Sequence, residues 1–283
     1  MWCVVRGNTS QLSSLFTSLF LSSMDSFKVS RSTLLGYMLV ALATTVAAVG
    51  LSPRRQGLIK ADGAVTRKLR LLYFDVEGKG EAIRLCCAYA GLDLEDCRIN
   101  KAEFDTLKET LPFGQLPILY CTDRAGNTHA MCQSAAIMRY IGKISGLYPE
   151  DPFLAARADA IIDAEIDLFT GVSVSKYKER FGFGFMSAME TSVVRKSLND
   201  IVLPRHLTAL ENMLKNRCND NNFMADTPEP TIADFILVPR LKSLQSGQTE
   251  GIDPDILCHF PLLQAYIKAF YNLDKIKNYY KQQ

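Results

Sequence analysis

Three short stretches carry side chains whose type and spacing could do chemistry. The first is Tyr73, which closes the run from Leu69. A buried tyrosine at a strand end is more often structural than functional. Its hydroxyl could instead donate to an anion, because open α/β sheets bind ligands beyond the carboxyl ends of their strands. The second stretch is the turn Leu111-Pro112-Phe113-Gly114-Gln115-Leu116-Pro117-Ile118-Leu119. A proline that opens a strand forfeits a ladder hydrogen bond. That suits an edge that stays open, or a cis bond, and an open edge can pair with an extended peptide through backbone groups. An isolated Leu-Pro would be a plain turn, but Gln133-Ser134 follows 16 residues after Pro117, at a helix start. Ser134 can cap that helix, and a helix start with spare N–H groups also receives carboxylates. The third stretch is Asp159, Asp163 and Asp167, whose i,i+4 spacing puts three carboxylates on one helix face. Like charges so placed cost roughly 0.2–0.5 kcal/mol per pair, and a solvated acidic face is the plain alternative.

These groups need elements to hold them. Residues 69–74 read as a short buried strand and 75–80 as a loop with Gly78 and Gly80. Residues 81–90 place Ile83, Cys86, Cys87 and Ala90 on one helical face, and Gly91 ends that helix. Further strands are expected over 94–99, 116–121 and 128–132, with a short helix or turn at 104–110 and an amphipathic helix over 134–144. The order β-α-β, connection, β-β-α makes an α/β unit. Residues 146–152 form a linker with two prolines. Beyond it strands disappear, and periodic stretches at 154–181, 187–217, 231–245 and 259–270 predict an all-α domain. Thr231 and Asp234 have capping-box spacing, a folding signal rather than a catalytic one. The folded body shows no internal repeat and no low-complexity run.

The 283 residues leave room for about two domains. Hydrophobic residues at 48% and charged residues at 22% exclude a disordered, collagen-like or wholly membrane-embedded chain. Residues 1–68 hold eight Lys/Arg against two acids, and the remaining 215 hold 24 basic and 28 acidic residues. A mildly acidic body argues against phosphate-backbone binding as the main task. The eight cysteines show no CxxC and no regular spacing, so a zinc ribbon or dithiol motif is not indicated. They read as reduced apolar residues in a reducing compartment.

Residues 34–51 form an uncharged run of 18. A bilayer span needs roughly 20 apolar residues, with ~17 as the lower limit. Lys28 and Arg31 precede the run, and Val46-Ala47-Ala48 offers small residues for cleavage. Two readings stay open: a membrane anchor or uncleaved signal, which we prefer, and an organelle-targeting signal cleaved near Ala48. Met24 is a second candidate start. The positive excess after the run (Arg54, Arg55, Lys60, Arg67, Lys68) places the following body on the cytoplasmic side if the run stays in a membrane. Residues 1–66 thus read as a targeting or anchor segment and linker.

Taken together, five stretches resemble the glutathione transferases, most nearly their sigma-like class. They are Lys68 to Phe74, Gly80 to Arg84, Leu111 to Leu119, Gln133 to Ile141 and Thr231 to Phe235. The resemblance runs from about residue 68 to the C-terminus. It implies a thioredoxin-like domain over 67–146, an all-helical domain over 152–283, and a homodimer. It implies Tyr73 as the catalytic tyrosine. Leu116 would pair its backbone with the cysteinyl unit of glutathione, with Pro117 as the cis proline. Gln133 and Ser134 would hold the γ-glutamyl carboxylate. Phe104, Lys108 and Gln115 fall where the class contacts the glycine end, Phe104 standing in place of the usual tryptophan. Lys79 replaces an arginine found near the thiol in many relatives, keeping the charge without the fork. Asp167 would reach the γ-glutamyl amine bound in the neighbouring subunit. Where some relatives bind a divalent cation through two adjacent acids, this chain has Ile166-Asp167, so no metal is expected.

The resemblance further implies a detoxifying transferase that uses glutathione as co-substrate, without a resident cofactor, and acts on small hydrophobic electrophiles. The electrophile would lie against residues 172–186, including Tyr177, Phe181, Phe183 and Phe185, although these aromatics could equally be core. Isomerisation of a prostaglandin-like endoperoxide is the enzymatic alternative. A non-catalytic, crystallin-like binding protein is the alternative of a different class, and the presence of Tyr73, Gln133 and Ser134 speaks against it.

Overall fold

The computed structural model describes residues 68–217 and 223–282. The uncharged run 34–51, Met24, the cleavage candidate near Ala48 and the linker that follows lie outside the described residues. Among the described residues no helix is long and apolar enough to cross a membrane.

Strands β1 (Lys68–Phe74), β2 (Leu94–Ile99), β3 (Ile118–Thr122) and β4 (Thr128–Cys132) form one sheet in the order β2-β1-β3-β4. β1 runs parallel to β2 and antiparallel to β3, and β3 runs antiparallel to β4. Helix α1 (Gly80–Ala90) crosses over from β1 to β2 and stops at Gly91, which takes a left-handed φ of 68°. Helix α2 (Lys101–Leu107) starts on a capping box in which Asn100 and Glu103 exchange hydrogen bonds of 3.0 and 2.7 Å. Helix α3 (Ser134–Ser145) follows β4.

The strand period of two sorts β1. Leu69, Leu71 and Tyr73 face the main core with Ile83, Leu85, Ile137, Met138 and Ile141. Leu72 faces a smaller cluster with Ile99, Leu111 and Ile118 on the other side. β3 begins at Ile118, two residues later than the sequence pattern suggests. Pro117 has no N–H to give the ladder, and the Leu116–Pro117 peptide is cis, so Leu116 stays outside the pairing.

The remainder is helical: α4 (Pro152–Lys176), α5 (Ala188–Ser197), α6 (Leu203–Lys215), α7 (Ile232–Leu244), α8 (Pro261–Tyr271) and α9 (Asp274–Lys281). Asp151 caps α4 by accepting from the amides of Phe153 and Leu154 at 3.0 and 2.9 Å. The expected stretch 154–181 breaks at Lys176, and a separate 3₁₀ turn covers Lys178–Phe181. The stretch 187–217 is divided by a π turn at Leu198–Val202. Pro204 lacks the N–H that an unbroken helix would need at that point. The sequence pattern does not announce α9, whose eight residues are mostly polar.

The two halves share one core. Ala158, Ile161 and Ile162 of α4 and Phe235 and Leu237 of α7 continue the cluster begun by β1, α1 and α3. Contact is close where α3 meets α7, because a Cβ at Gly142 would sit 2.4 Å from the Ile232 side chain. Asp234, fully buried at the start of α7, accepts from the amides of Met224 (2.9 Å) and Thr231 (2.7 Å). It also accepts from the hydroxyls of Thr231 (3.1 Å) and Tyr266 (2.6 Å). The capping-box spacing read from the sequence is therefore a buried hub.

Candidate active site

The site grows from the carboxyl end of β1. Tyr73 is 8% exposed, and the loop 75–80 folds across its ring. Gly78 and Gly80 permit this. A Cβ on Gly80 would lie 2.5 Å from the Tyr73 ring, and one on Gly78 2.6 Å from its hydroxyl. Between these glycines the Lys79 amide donates to the Tyr73 hydroxyl at 3.0 Å.

Arg84 holds the loop from beneath. Its guanidinium donates to the carbonyls of Val76 (2.8 Å) and Phe74 (3.3 Å) and pairs with Asp96 (3.0 Å) and Glu81 (3.3 Å). Glu81, itself buried, also accepts from the Tyr280 hydroxyl of α9 at 2.8 Å.

Burial raises the Tyr73 pKa above its ordinary 10.0, and the nearby Tyr177 pushes the same way. The Lys79 amide and the charges of Arg240 and Arg84 oppose them. At neutral pH Tyr73 is therefore a phenol whose oxygen already accepts one bond and whose proton can be donated.

Sheet register brings the other groups to this end. Leu72 pairs with Ile118, and Ile118 with Cys132. Continuing by one position sets Pro117 beside Tyr73 and Gln133 beside Pro117. Gln133 carries a left-handed φ of 70°, so the chain turns sharply from β4 into α3. The structure corrects the expected cap: Gln133 occupies the cap position, Ser134 is the first helical residue, and no side chain caps the helix.

On the other flank, half-buried Phe104 meets the Phe74 ring edge-to-face at 5.2 Å, and Phe104 and Leu116 both pack against the small cluster of Leu72, Ile99, Leu111 and Ile118. The exposed Lys108 runs its stem against Gly114, one residue before half-buried Gln115. Phe104, Leu116 and Tyr73 thus share one neighbourhood, with Lys108 and Gln115 at its margin.

The acidic helix face divides. Arg139 binds Asp159 at 2.7 Å and Asp163 at 3.7 Å, and Asp159 also accepts from the Tyr148 hydroxyl at 2.7 Å. These two carboxylates are therefore compensated by a cation instead of forming a purely solvated face. Asp167 is exposed on α4, and its expected role needs a neighbouring subunit.

The aromatics of 172–186 are not core. Tyr177, Phe181, Phe183 and Phe185 are 50, 42, 40 and 77% exposed, and Tyr177 is close enough to Tyr73 to influence its ionisation. Sequence reasoning missed Arg240 and Glu165, which pair at 2.9 Å between α7 and α4. Their signal was a charge set into an apolar helical run: Arg240 after Phe235-Ile-Leu-Val-Pro, Glu165 beside Ile161, Ile162 and Ile166.

A thioredoxin-like domain with the sheet order β2-β1-β3-β4, joined to a helical domain, defines the class. The family model described as glutathione S-transferase, N-terminal domain, matches residues 69–143. The corresponding C-terminal domain matches residues 183–283. Glutathione S-transferase 1 of Ascaris suum is 31% identical over 213 residues, 74% of this chain and 94% of that protein. Hematopoietic prostaglandin D synthase of Gallus gallus is 40% identical over 94 residues, 33% of this chain and 45% of that protein. The solved structure of prostaglandin synthase D of Nilaparvata lugens superposes with a TM-score of 0.64 at 25% identity, covering 76% of this chain and 98% of that one. The chain belongs to the glutathione S-transferase family.

Proposed function

We propose that this transferase, of the sigma-like class, joins the glutathione thiolate to small hydrophobic electrophiles, with Tyr73 activating the thiol. One observation carries this reading: the Lys79 amide occupies the Tyr73 oxygen at 3.0 Å and leaves the phenolic proton for the ligand. A free thiol has a pKa of about 8.5 and is mostly protonated at neutral pH. A hydrogen bond to the charged form lowers that value, and each unit is worth about 1.4 kcal/mol. The N–H bond into Tyr73 polarises the phenol and strengthens its donation.

Leu116, outside the strand pairing, offers its backbone to the cysteinyl unit. Gln133 and Ser134 receive the γ-glutamyl carboxylate at a helix start without a side-chain cap, which supports an anion there. Phe104, Lys108 and Gln115 take the glycine end. Glutathione is a co-substrate, and no resident cofactor or metal is proposed. A homodimer is supported by the 61% exposure of Phe113 and 43% exposure of Ile166, apolar side chains that a second copy would cover. Asp167, next to Ile166, would then reach the neighbour's glutathione. The body faces the cytoplasm, held to a membrane by 34–51; delivery to an organelle after cleavage near Ala48 is the alternative.

The test is capture of the full chain on immobilised glutathione, followed by a panel of electrophiles that includes a simple aryl halide. Capture with turnover is expected, and capture without any turnover would leave only a crystallin-like binding role. Isomerisation of a prostaglandin-like endoperoxide is the second reading, supported by relatives named prostaglandin D synthase. Conversion of an endoperoxide without net consumption of glutathione would select it.

A further inference from the structure

The donation by Tyr73 depends on where the loop 75–80 stands, because its Lys79 amide occupies the phenolic oxygen at 3.0 Å. The loop has little of its own to fix it. Asp75, Val76, Glu77 and Lys79 are exposed. Its backbone bonds, from the Val76 amide to the Phe74 carbonyl and from the Glu81 amide to the Glu77 carbonyl, are both 2.8 Å and lie at its two ends. On the outer side Arg98 pairs with Asp75 at 2.7 Å. Those side chains are 37% and 74% exposed, and an ion pair so exposed holds weakly.

The firmer hold comes from beneath. The Arg84 side chain is 2% exposed, and its guanidinium carbon lies 5.8 Å from the centroid of the Tyr73 ring. One terminal amine donates to the Val76 carbonyl at 2.8 Å and the other to the Phe74 carbonyl at 3.3 Å. A guanidinium buried this deeply needs carboxylates to compensate it. Asp96 accepts from Nε at 3.0 Å. Glu81 accepts at 3.3 Å from the same amine that holds Val76, so it fixes the direction of that amine. Glu81 is itself buried and takes a further donor, the Tyr280 hydroxyl at 2.8 Å. A relay from Tyr280 through Glu81 to Arg84 thus ends on the two carbonyls that follow Tyr73. Tyr280 belongs to α9, eight mostly polar residues of which Ile276 alone is buried. A terminal element with so little burial opens more readily than the core it leans on.

We propose that Arg84 is a positioning residue for thiol activation and that Tyr280 of α9 completes its setting through Glu81, so that the docking of the last helix controls how well Tyr73 donates. The inference rests on the transferase reading and adds a control to that site. Neither Arg84 nor Tyr280 needs to touch glutathione. Each acts through the backbone of the loop, as the groups that lock a reactive side chain from behind do.

The test uses the full chain and reads the pKa of glutathione bound to it, from the ultraviolet absorbance of the thiolate against pH. Tyr280→Phe keeps the ring, which packs on Tyr271 and Tyr279 at 5.8 and 5.1 Å, and removes only the hydroxyl. It is expected to raise the bound-thiol pKa by about half a unit, which leaves about threefold less thiolate at about pH 6. The kcat for an aryl halide at that pH should fall about threefold, with KM for glutathione nearly unchanged. In a Tyr73→Phe background the same substitution should have no further effect, because the donor it acts through is gone. Glu81→Gln keeps an acceptor for Tyr280 but removes the charge opposite Arg84. It should shift the thiol in the same direction, and it serves if Tyr280→Phe does not fold. An unchanged thiol pKa in both variants overturns the proposal, and so does an equal shift with and without the Tyr73 hydroxyl. A lowered thiol pKa in the wild type without any turnover sinks the transferase reading while leaving this inference to the variants. Failure of the wild type to bind glutathione sinks both.

Discussion

Tyr73 accepts from a backbone amide before any ligand arrives, so its role depends on the proton it retains. Replacing it with phenylalanine keeps the ring that Gly78 and Gly80 pack against and removes only the donor. We expect Tyr73→Phe to leave folding and glutathione affinity nearly intact and to lower kcat about 10²-fold. Unchanged kcat at saturating glutathione would remove Tyr73 from the mechanism. The sign of its pKa shift adds a second check. Burial raises the value above 10.0, so the phenol stays protonated through the whole neutral and mildly alkaline range. With the phenol protonated throughout, the ratio of wild-type to variant rates should be largest at about pH 6 and fall toward about pH 9, because the variant's thiol ionises unaided near its free value of about 8.5. A ratio that stays flat across that window would mean that Tyr73 does not lower the thiol pKa.

At the scale of elements, the helix starts divide the labour. The first residues of α3 lack a side-chain cap, whereas α7 begins on the four-donor hub of Asp234. Ser134 makes no side-chain hydrogen bond among the described residues. Ser134→Ala should therefore raise KM for glutathione more than it lowers kcat, with the melting temperature unchanged. A loss confined to thermal stability would restore the plain capping role. Asp234→Ala should do the opposite. It strands two buried amides and the Tyr266 hydroxyl, and calorimetry or denaturant melts should show a loss of at least about 3 kcal/mol. A loss below about 1 kcal/mol would mean that water or neighbours replace the carboxylate.

What the sequence disclosed follows the range of the forces involved. Strand alternation, the glycine after α1, the capping pair at 231 and 234 and the Leu-Pro edge are local patterns, and each names its own element. The break between α4 and the turn at 178 and the late start of β3 were shifted by single residues at element ends. Helix α9 was missed because its surface is polar and little of it is buried; Ile276 is its one fully packed residue. The Arg240–Glu165 pair joins positions 75 apart, and nothing near either residue names the other. The aromatics at 172–186 could be read as core or as site, and only their exposure decided it.

For the whole molecule, the chain divides between residues 62 and 63 into two units, and every candidate catalytic or glutathione-binding group lies in the second. A chain started at Arg67 should therefore be soluble, dimeric and active. The full chain should instead fractionate with membranes or an organelle, because an uncharged run of 18 is costly to leave in water. If both fractionate as soluble proteins with intact N-termini, the anchor idea fails. Recovery of the full chain shortened near Ala48 would mark a cleaved signal instead.

The contact between Tyr280 and Glu81 spans 199 positions. Glu81 steadies Arg84, and Arg84 grips the carbonyls of the loop whose amide sets the Tyr73 hydroxyl. During synthesis the first strand and its loop emerge long before α9 exists. The nascent chain therefore waits, with its candidate site unbraced, until α9 has left the ribosome.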